Sequence, residues 1–370
     1  MGAERTPAGG GIGRRRFLAG VAGLLALPAW ARAAASDAGE SMRLAAAWQA
    51  DRGYRVGVLR FPESGALAIE SALDIPTRAH DLVREPGGTL LAVARRPGDW
   101  LLRWDADGRA LAWRWIEPRR AFAGHVLASA DGRTLYTTEI DLDTGMGLVG
   151  VRDAASMEKR AEWPTLGMDP HMLTWDATRP GALIVANGGV PTQPETGRIK
   201  RDLERMDSSL ARLDAARGEV VGQWRLADAR LSLRHLAWNG TRLGIALQAE
   251  HDAAADKAAA PVLAVFADER LRPVGATVPL AGYGGSIAAL GDGFAVSCPR
   301  SQGLALYGAE GFHGLMVLPD VCPLATARGR LWAGGRARAL GMDDSADVQA
   351  AERVAPVPDI RLDNHWIALA

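Results

Sequence analysis

Five of the chain's seven histidines occupy the same place in a repeated sequence pattern. Each begins a short apolar run that is followed by a polar turn and a second apolar run, as in His171–Asn187, HMLTWDATRPGALIVAN. Matching copies begin at His80, His125 and His235, and a half-copy, HWIALA, begins at His365. Neutral imidazole offers a nitrogen lone pair and is the commonest metal ligand in proteins. Five imidazoles in one register therefore indicate a site for iron, copper, zinc or haem.

Two weaker copies of the pattern complete the series. They begin at Ser286 and Cys322, and a thiol at Cys322 would favour a softer metal ion. The candidate metal ligands are thus the five histidines and Cys322. An alternative interpretation is structural, because repeat duplication also copies a histidine that only hydrogen-bonds a neighbouring loop.

The repeated unit predicts the fold. Successive copies begin 36 to 64 residues apart, and β-rich repeats of about 40–45 residues are typical of four-stranded propeller blades. Each hairpin is followed by two further strand-like runs, such as WLLRWD and LAWRWIEP. Pairs of apolar runs joined by turn-forming residues are typical of β-hairpins. We therefore expect an all-β chain of repeated four-stranded units.

The two ends of the chain complement each other. The last run, HWIALA, is a first strand with no partner, whereas RLAAAWQA, YRVGVLRF and ALAIESALDIP near the amino terminus are three strands without a first. One unit built from both ends would close a ring and remove exposed sheet edges. The prediction is a seven-bladed β-propeller over residues 36–370. A pair of β-sandwiches is the alternative fold, but it does not predict complementary half-units.

Three insertions are expected on the same face as the histidines. They are Asp141–Gly147, Asn187–Ser209 and Glu250–Ala260, each between the second and third strands of a unit. Long loops at one end of a rigid β scaffold are where function usually lies. We expect each histidine to be the first residue of an innermost strand. Because opposite positions could lie more than about 10 Å apart across a channel, we expect chelation by pairs such as His125 with His171, or His80 with His365.

Polar residues that follow the second strands form a second set of candidates. Carboxylates there could complete an iron site or hold a cationic partner, although a solvated polar rim is the alternative. The cofactor-binding candidates are Arg95, Glu139, Asn187, Glu195 and Arg198. Further residues expected on this rim are Arg96, Asp141, Gln248, Glu250, His251 and Arg300.

The amino terminus predicts export. Arg14–Leu18, RRRFL, fits a twin-arginine motif, and it is followed by a short apolar run and by small residues at Ala31–Ala33. This arrangement is typical of a signal peptide over residues 1–35. An amino-terminal anchor is the alternative, but the apolar run is short for a membrane span. We expect a periplasmic protein that crosses the membrane already folded, with no transmembrane segment after cleavage.

Composition excludes several function classes. The chain has 43 basic and 43 acidic residues, and this balance argues against nucleic acid as the main partner. It has two cysteines, Cys298 and Cys322, so it is not a disulfide scaffold, although one bridge between them is possible. No CxxCH or GxSxG motif occurs, which argues against covalent c-type haem and a serine nucleophile. We expect a monomer.

The segment Pro170–Asp214 resembles the signature of a bacterial family of unknown function, domain of unknown function 1513. The similar phrases are PHMLTW, LIVANGG and TQPETGRIKRDLERMDSSLARLD, with departures from the usual pattern at residues 200–202 and 206–210. The resemblance implies a twin-arginine-exported propeller. It also implies partners, because such proteins are typically encoded beside imelysin-type iron-uptake proteins and a di-haem oxidoreductase. It implies no activity.

Three hypotheses follow. The first is a metal-handling accessory protein of iron uptake that binds iron, copper or haem through the histidines. The second is an enzyme at the same site, a metal-dependent oxidoreductase or lactonase-like hydrolase with Glu139 or Glu195 as an acidic base. The third is a protein-interaction scaffold in which the histidines are structural.

Overall fold

The computed structural model describes residues 41–191, 202–343 and 353–369. These residues form 28 β-strands, one short α-helix, α1 (Ala254–Ala259), and two 3-10 helices, Leu203–Arg205 and Pro299–Ser301. The predicted all-β class is therefore confirmed. In chain order the strands are β1 (Met42–Gln49), β2 (Tyr54–Phe61), β3 (Ala68–Ile75), β4 (Ala79–Arg84), β5 (Leu90–Ala94), β6 (Trp100–Trp104), β7 (Ala110–Trp115), β8 (Arg120–Ala128), β9 (Thr134–Asp141), β10 (Met146–Asp153), β11 (Lys159–Met168), β12 (Pro170–Trp175), β13 (Ala182–Asn187), β14 (Ser209–Asp214), β15 (Val220–Trp224), β16 (Leu231–Asn239), β17 (Arg242–Ala249), β18 (Leu263–Ala267), β19 (Arg270–Val274), β20 (Ser286–Leu290), β21 (Gly293–Cys298), β22 (Gly303–Gly308), β23 (Gly311–Val317), β24 (Leu324–Ala327), β25 (Arg330–Gly334), β26 (Arg338–Asp343), β27 (Arg353–Pro356) and β28 (Arg361–Leu369).

Five of the sheets have four strands each, joined in sequence order: β4 to β7, β8 to β11, β12 to β15, β16 to β19 and β20 to β23. A sixth sheet has eight strands in the order β27-β26-β25-β24-β28-β1-β2-β3. Within it, β24 and β28 are linked by a single parallel pair, Leu324 with His365. Strand β28 pairs antiparallel with β1, from Arg43 with Leu369 to Gln49 with Arg361. The last described strand is thus hydrogen-bonded to the first.

The core lies between neighbouring sheets. One apolar cluster joins Val58 of β2 to Leu102 and Trp104 of β6, and comparable clusters join the other neighbouring sheets. Inner strands are buried on both faces, as all five residues of β5 are, whereas the outer strand β7 is mostly exposed or half-buried. This explains why second strands such as β5 are continuous apolar runs in the sequence.

The first strands of the units contact one another in succession. The order is β4, β8, β12, β16, β20, β24 and β28, and β28 in turn contacts β4. Five of these strands carry the repeated histidines. The histidines do not open their strands as predicted, because His80 and His171 are second residues, His235 and His365 are fifth and His125 is sixth.

Several predictions concern residues outside the described ranges. They include the signal peptide over residues 1–35 and the candidates Glu195 and Arg198. Among the described residues, no helix has the length and apolar character needed to cross a bilayer. Cys298 and Cys322 are both unbridged thiols.

Candidate metal centre

The imidazole rings of the five repeated histidines pack against one another in one cluster. Nine pairs of their imidazole rings have centroids 4.5 to 5.5 Å apart, with His171 and His235 the closest. The prediction that only adjacent or next-but-one pairs could chelate is wrong, because the side chains of four histidines from four different strands offer nitrogens to one group. Four of them offer one nitrogen each within 4.8 Å of one another, namely His80, His125, His171 and His235.

The regular strand pairing is interrupted, by a β-bulge or a related irregularity, at every one of these histidines. The regular pairing of β4 with β5 breaks between Ala79 and Asp81, the two neighbours of His80. Equivalent breaks lie around His125, His171 and His235, and the pairing of β28 with β1 shifts where β28 carries His365. By contrast, β20 pairs without a break and carries Ser286 instead. Bulges re-aim side chains and are frequent beside active sites, so they account for the inward direction of the imidazoles.

Gly124 shapes the β8 bulge. Its φ is +117°, and a Cβ there would lie 2.7 Å from Cδ2 of His80. Glycine tolerates this backbone conformation at low steric cost. The residue before His125 therefore gives the ring of His80 room to pack against the backbone.

Four of the histidines, His80, His171, His235 and His365, are held neutral by a lowered pKa. Burial, and then the neighbouring imidazoles, lower the pKa of His80 and of His235 well below 6.5. Burial likewise lowers the pKa of His171 well below 6.5, and that of His365 to about 4. Charging an imidazole here would place a cation in a low-dielectric interior next to its neighbours. Neutral rings keep the lone pairs that metals need.

Some ring nitrogens pair with one another, and others have no hydrogen-bond partner among the described residues. Nε2 of His235 lies 3.0 Å from Nε2 of His171 and 3.1 Å from Nε2 of His365. Among the described residues, neither nitrogen of His80 has a hydrogen-bond partner, although the side chain is buried. A buried polar atom without a partner costs about 1–3 kcal/mol. Without a bound ligand, this arrangement of His80 therefore lowers the stability of the folded protein.

Asp81 supports the centre from one side. Its Oδ2 lies 3.1 Å from Nδ1 of His125, within ion-pair distance though without hydrogen-bond alignment. Its carboxylate also accepts hydrogen bonds from the backbone N–H groups of Leu82 and Val126. Burial raises the pKa of Asp81, but His125 and these donors outweigh burial and the net pKa is lowered. Asp81, His125 and His365 form a second group with ligand atoms within 4.8 Å.

A cavity of about 240 Å³ adjoins the histidines. Four arginines line it, and the carboxylate of Asp169 beside it forms ion pairs with both Arg96 and Arg234. The lining residues in the described chain are His80, Arg95, Arg96, Ala123, His171, Arg234, His235, Gln248, Tyr283, Arg300 and Asn364. The rim candidates Arg95, Arg96, Gln248 and Arg300 are thus placed beside the histidines.

Three other candidates lie elsewhere. Cys322 is outside both histidine groups and lines a separate cavity with Arg78 and Asp363. The carboxylate of Glu139 is buried between Arg152 and Lys159. Asn187 is buried, and its Nδ2 donates to the carbonyl of Thr165 and to Oγ of Ser209. These contacts give Glu139 and Asn187 structural roles.

Sequence reasoning missed Asp81, Asp169, Arg234, Tyr283 and Asn364. Four of them had a local signal, because Asp81, Arg234 and Asn364 adjoin repeated histidines and Asp169 lies two residues before one. A polar residue next to a repeated ligand is a candidate to orient that ligand. Tyr283 has no such signal in the repeat.

The sequence matches the family described as "Protein of unknown function (DUF1513)" over residues 73–369. The chain belongs to this family. The match covers most of the chain and confirms the resemblance seen at Pro170–Asp214. No curated protein sequence matches it.

Solved structures show the fold. Kuenenia stuttgartiensis hydrazine synthase is similar with a TM-score of 0.60 and 13% identity, over 79% of this chain and 90% of that chain. A catalytically inactive virginiamycin B lyase from Staphylococcus aureus, solved with quinupristin, is similar with a TM-score of 0.54 and 10% identity, over 80% of this chain and 92% of that chain. At these identities the likeness concerns architecture, which is propeller-like. Function has to be argued from the site.

Proposed function

We propose that this DUF1513 protein binds one transition-metal ion through His80, His125, His171 and His235, as a metal-handling accessory protein of iron uptake. One observation carries the proposal: four buried histidines offer nitrogens within 4.8 Å of one another. Iron is the expected ion, with copper or haem as alternatives.

The geometry suits a single ion after a small adjustment. Metal–imidazole bonds of about 2.0–2.1 Å place ligand nitrogens no more than roughly 4.2 Å apart. Nitrogens within 4.8 Å of one another therefore need to move by less than about 1 Å. The short His171–His235 contact would be relieved as both rings turned toward the ion. Asp81 would orient His125, and His365 would lie beside the centre.

The wider architecture in this proposal is a closed seven-bladed propeller. Its support is that the 28 described strands divide into sets of four and that the seven first strands contact one another in succession. Blades at five positions would then supply the histidines to one end of a central channel. A rigid closed scaffold fits ligands from five distant segments of the chain.

The periplasmic setting rests on the sequence. The twin-arginine motif at Arg14–Leu18 supports export of the folded protein. The family resemblance supports imelysin-like proteins and a di-haem oxidoreductase as partners. A protein that receives a metal and passes it to such partners needs a metal site and no catalytic base.

Elemental analysis would test metal binding. Protein exported through its own signal and purified without chelator should carry about one equivalent of iron or copper. The double variant His80→Asn with His171→Asn should lose at least about tenfold in affinity, because it removes two ligands. The control His313→Asn changes an exposed histidine away from the centre and should retain the metal. Wild-type protein that stays free of metal after iron, copper or zinc is added would contradict the proposal.

An enzymatic role at the same site has one supporting feature. The cavity beside His80, His171 and His235 could admit a small substrate. Glu139 is not available as its base, because Arg152 and Lys159 hold its carboxylate. Turnover of a lactone or an electron donor by the metal-loaded protein would favour this role over metal handling.

A further inference from the structure

The cavity next to the histidines is lined by cationic and neutral side chains. Arg95, Arg96, Arg234 and Arg300 line it together with the amides of Gln248 and Asn364, and no aspartate or glutamate lines it in the described chain. A second arginine-rich cavity, at Arg242, Arg270 and Arg272, differs because Asp268 is among its lining residues. The histidine-side cavity therefore has the composition of an anion site.

Buried carboxylates lie beside the cavity, although none lines it among the described residues. Asp169 forms ion pairs with both Arg96 and Arg234, with Nη1 of Arg234 2.7 Å from Oδ2, and the buried Glu250 is close enough to Arg234 to act on its charge. Arg234 and Asp169 are almost fully buried, so solvent screens their charges weakly. The guanidinium of Arg300 lies 4.3 Å from the ring centroid of Tyr283, and this stacking holds it at the cavity wall.

A metal ion at the histidines would add to this positive charge. Four arginines line the same cavity as His80, His171 and His235, so an ion bound by these histidines would lie close to guanidinium groups. In a weakly screened interior, a divalent cation beside several guanidinium groups needs a counter-charge. An anion in the cavity would supply that counter-charge.

We propose that this cavity binds a small oxyanion, a carboxylate or a phosphate, so that the arginines hold it while one of its oxygens coordinates the metal. Guanidinium groups form paired hydrogen bonds with both chemistries. The inference deepens the proposed function and rests on it for the bond between the anion and the metal.

Calorimetric titration can separate the two claims. Metal-free protein would be titrated with succinate and with inorganic phosphate, and the anion that binds would then be titrated into zinc-loaded protein. We expect one of the two anions to bind the metal-free protein, and zinc to tighten the binding of that anion about tenfold. Binding of succinate alone would indicate a carboxylate ligand, and binding of phosphate alone a phosphate ligand.

Two variants test the arginines. Arg300→Gln should weaken anion binding roughly tenfold, as expected for the loss of one charge-assisted hydrogen bond. The matched control Arg270→Gln removes an exposed arginine from the other cavity and should change nothing. Arg95→Gln is a second test if Arg300→Gln perturbs folding.

The outcomes distinguish the two proposals. Equal anion affinities for Arg300→Gln, Arg95→Gln and Arg270→Gln, or no binding of either anion, would overturn the anion site even if zinc binds. Anion binding that zinc does not tighten would overturn the shared coordination. Failure of the protein to take up zinc would count against the proposed function, while the metal-free titration would still decide the arginine site.

Discussion

Two buried polar clusters in this protein have opposite designs. The Glu139 cluster consists of Glu139, Arg152, Lys159, Glu117 and Glu162, and in it acids and bases alternate. Nη2 of Arg152 lies 2.7 Å from Glu139, and Nζ of Lys159 lies 2.6 Å from both Glu139 and Glu162. The histidine centre, by contrast, brings together five side chains of one kind, several of whose ring nitrogens have no hydrogen-bond partner among the described residues.

The difference separates architecture from function. A buried ion cluster whose charges are paired can persist for structural reasons. A buried group of imidazoles that leaves nitrogens of His80, His125 and His235 without hydrogen-bond partners among the described residues carries a cost that a bound ligand would remove. The sequence prediction that placed Glu139 in the site failed on this distinction.

The largest effect on stability is expected in the Glu139 cluster. Glu139→Gln would leave Arg152 and Lys159 short of their buried partner, and breaking such a pair costs about 3–5 kcal/mol in free energy of unfolding. Urea denaturation would measure the loss. The control Glu158→Gln removes an exposed carboxylate 3.4 Å from Arg114 and should cost less than about 1 kcal/mol. Equal stability of the two variants would contradict the account, as would loss of metal from folded Glu139→Gln protein.

The histidine centre and the Glu139 cluster should also lose their contributions to the free energy of unfolding in different pH ranges. His365 has its pKa lowered from 6.5 to about 4, so the unfolded chain binds more protons between these values and stability falls as pH drops from 6.5 to 4. His365 alone would account for up to about 3 kcal/mol. Burial raises the pKa of Glu117, but the hydrogen bonds that Arg152 and Lys159 donate to it lower the pKa to about 2. The contribution of Glu117 to the free energy of unfolding is therefore lost as the pH falls from 4.5 to 2.

Thermal unfolding of the metal-free protein against pH would measure both ranges. The variant His365→Asn should flatten the decline between pH 6.5 and 4 while leaving the acidic decline in place. His313→Asn is the control for removal of an exposed histidine. A profile of His365→Asn that follows wild type through pH 6.5 to 4 would rule out this assignment.

A smaller effect is expected at Gly124. Gly124→Ala would push a Cβ against the ring of His80 at a backbone φ of +117°, so the imidazole must move. We expect roughly a tenfold loss of metal affinity with about 1–2 kcal/mol of destabilisation. Gly132→Ala is the matched control, because Gly132 also has a positive φ but no histidine contact. Competition with a metal indicator dye would show no difference between the two variants if the account were wrong.

The smallest effect is expected at Cys322. Its side chain lies outside the histidine groups, and burial raises the pKa of its thiol to about 11, so it remains protonated and a poor ligand. Cys322→Ser should change metal affinity less than about twofold. Ligand-to-metal charge-transfer absorption from a thiolate in the wild type, absent in Cys322→Ser, would restore the original prediction.

Much of the fold could be predicted because its signal is local. Hairpins such as His171–Asn187 show two apolar runs and a turn, and their repetition indicates four-stranded units. The five histidines share one position in the repeat, and this shared position predicted that they belong to one metal site. The pairing of β28 with β1 agrees with the complementary end segments.

The geometry of the site could not be predicted because it depends on long-range pairing. A bulge is a property of two strands, so the break around His80 cannot be read from β4 alone. Only Gly124 gave a local hint of a special backbone. The ion pairs of Asp169 with Arg96 and Arg234 join the residue between β11 and β12 to the segment after β5 and to β16, and these contacts could not be predicted from any one of the three segments.

X-ray absorption spectroscopy at the metal edge tests the central claim most directly. Natively exported protein, or metal-free protein loaded with one equivalent of iron, copper or zinc, should show three or four imidazole nitrogens at about 2.0–2.1 Å, with the multiple scattering of coordinated histidine. A shell of oxygen or sulfur atoms with at most one imidazole would contradict the claim that the four histidines share one ion.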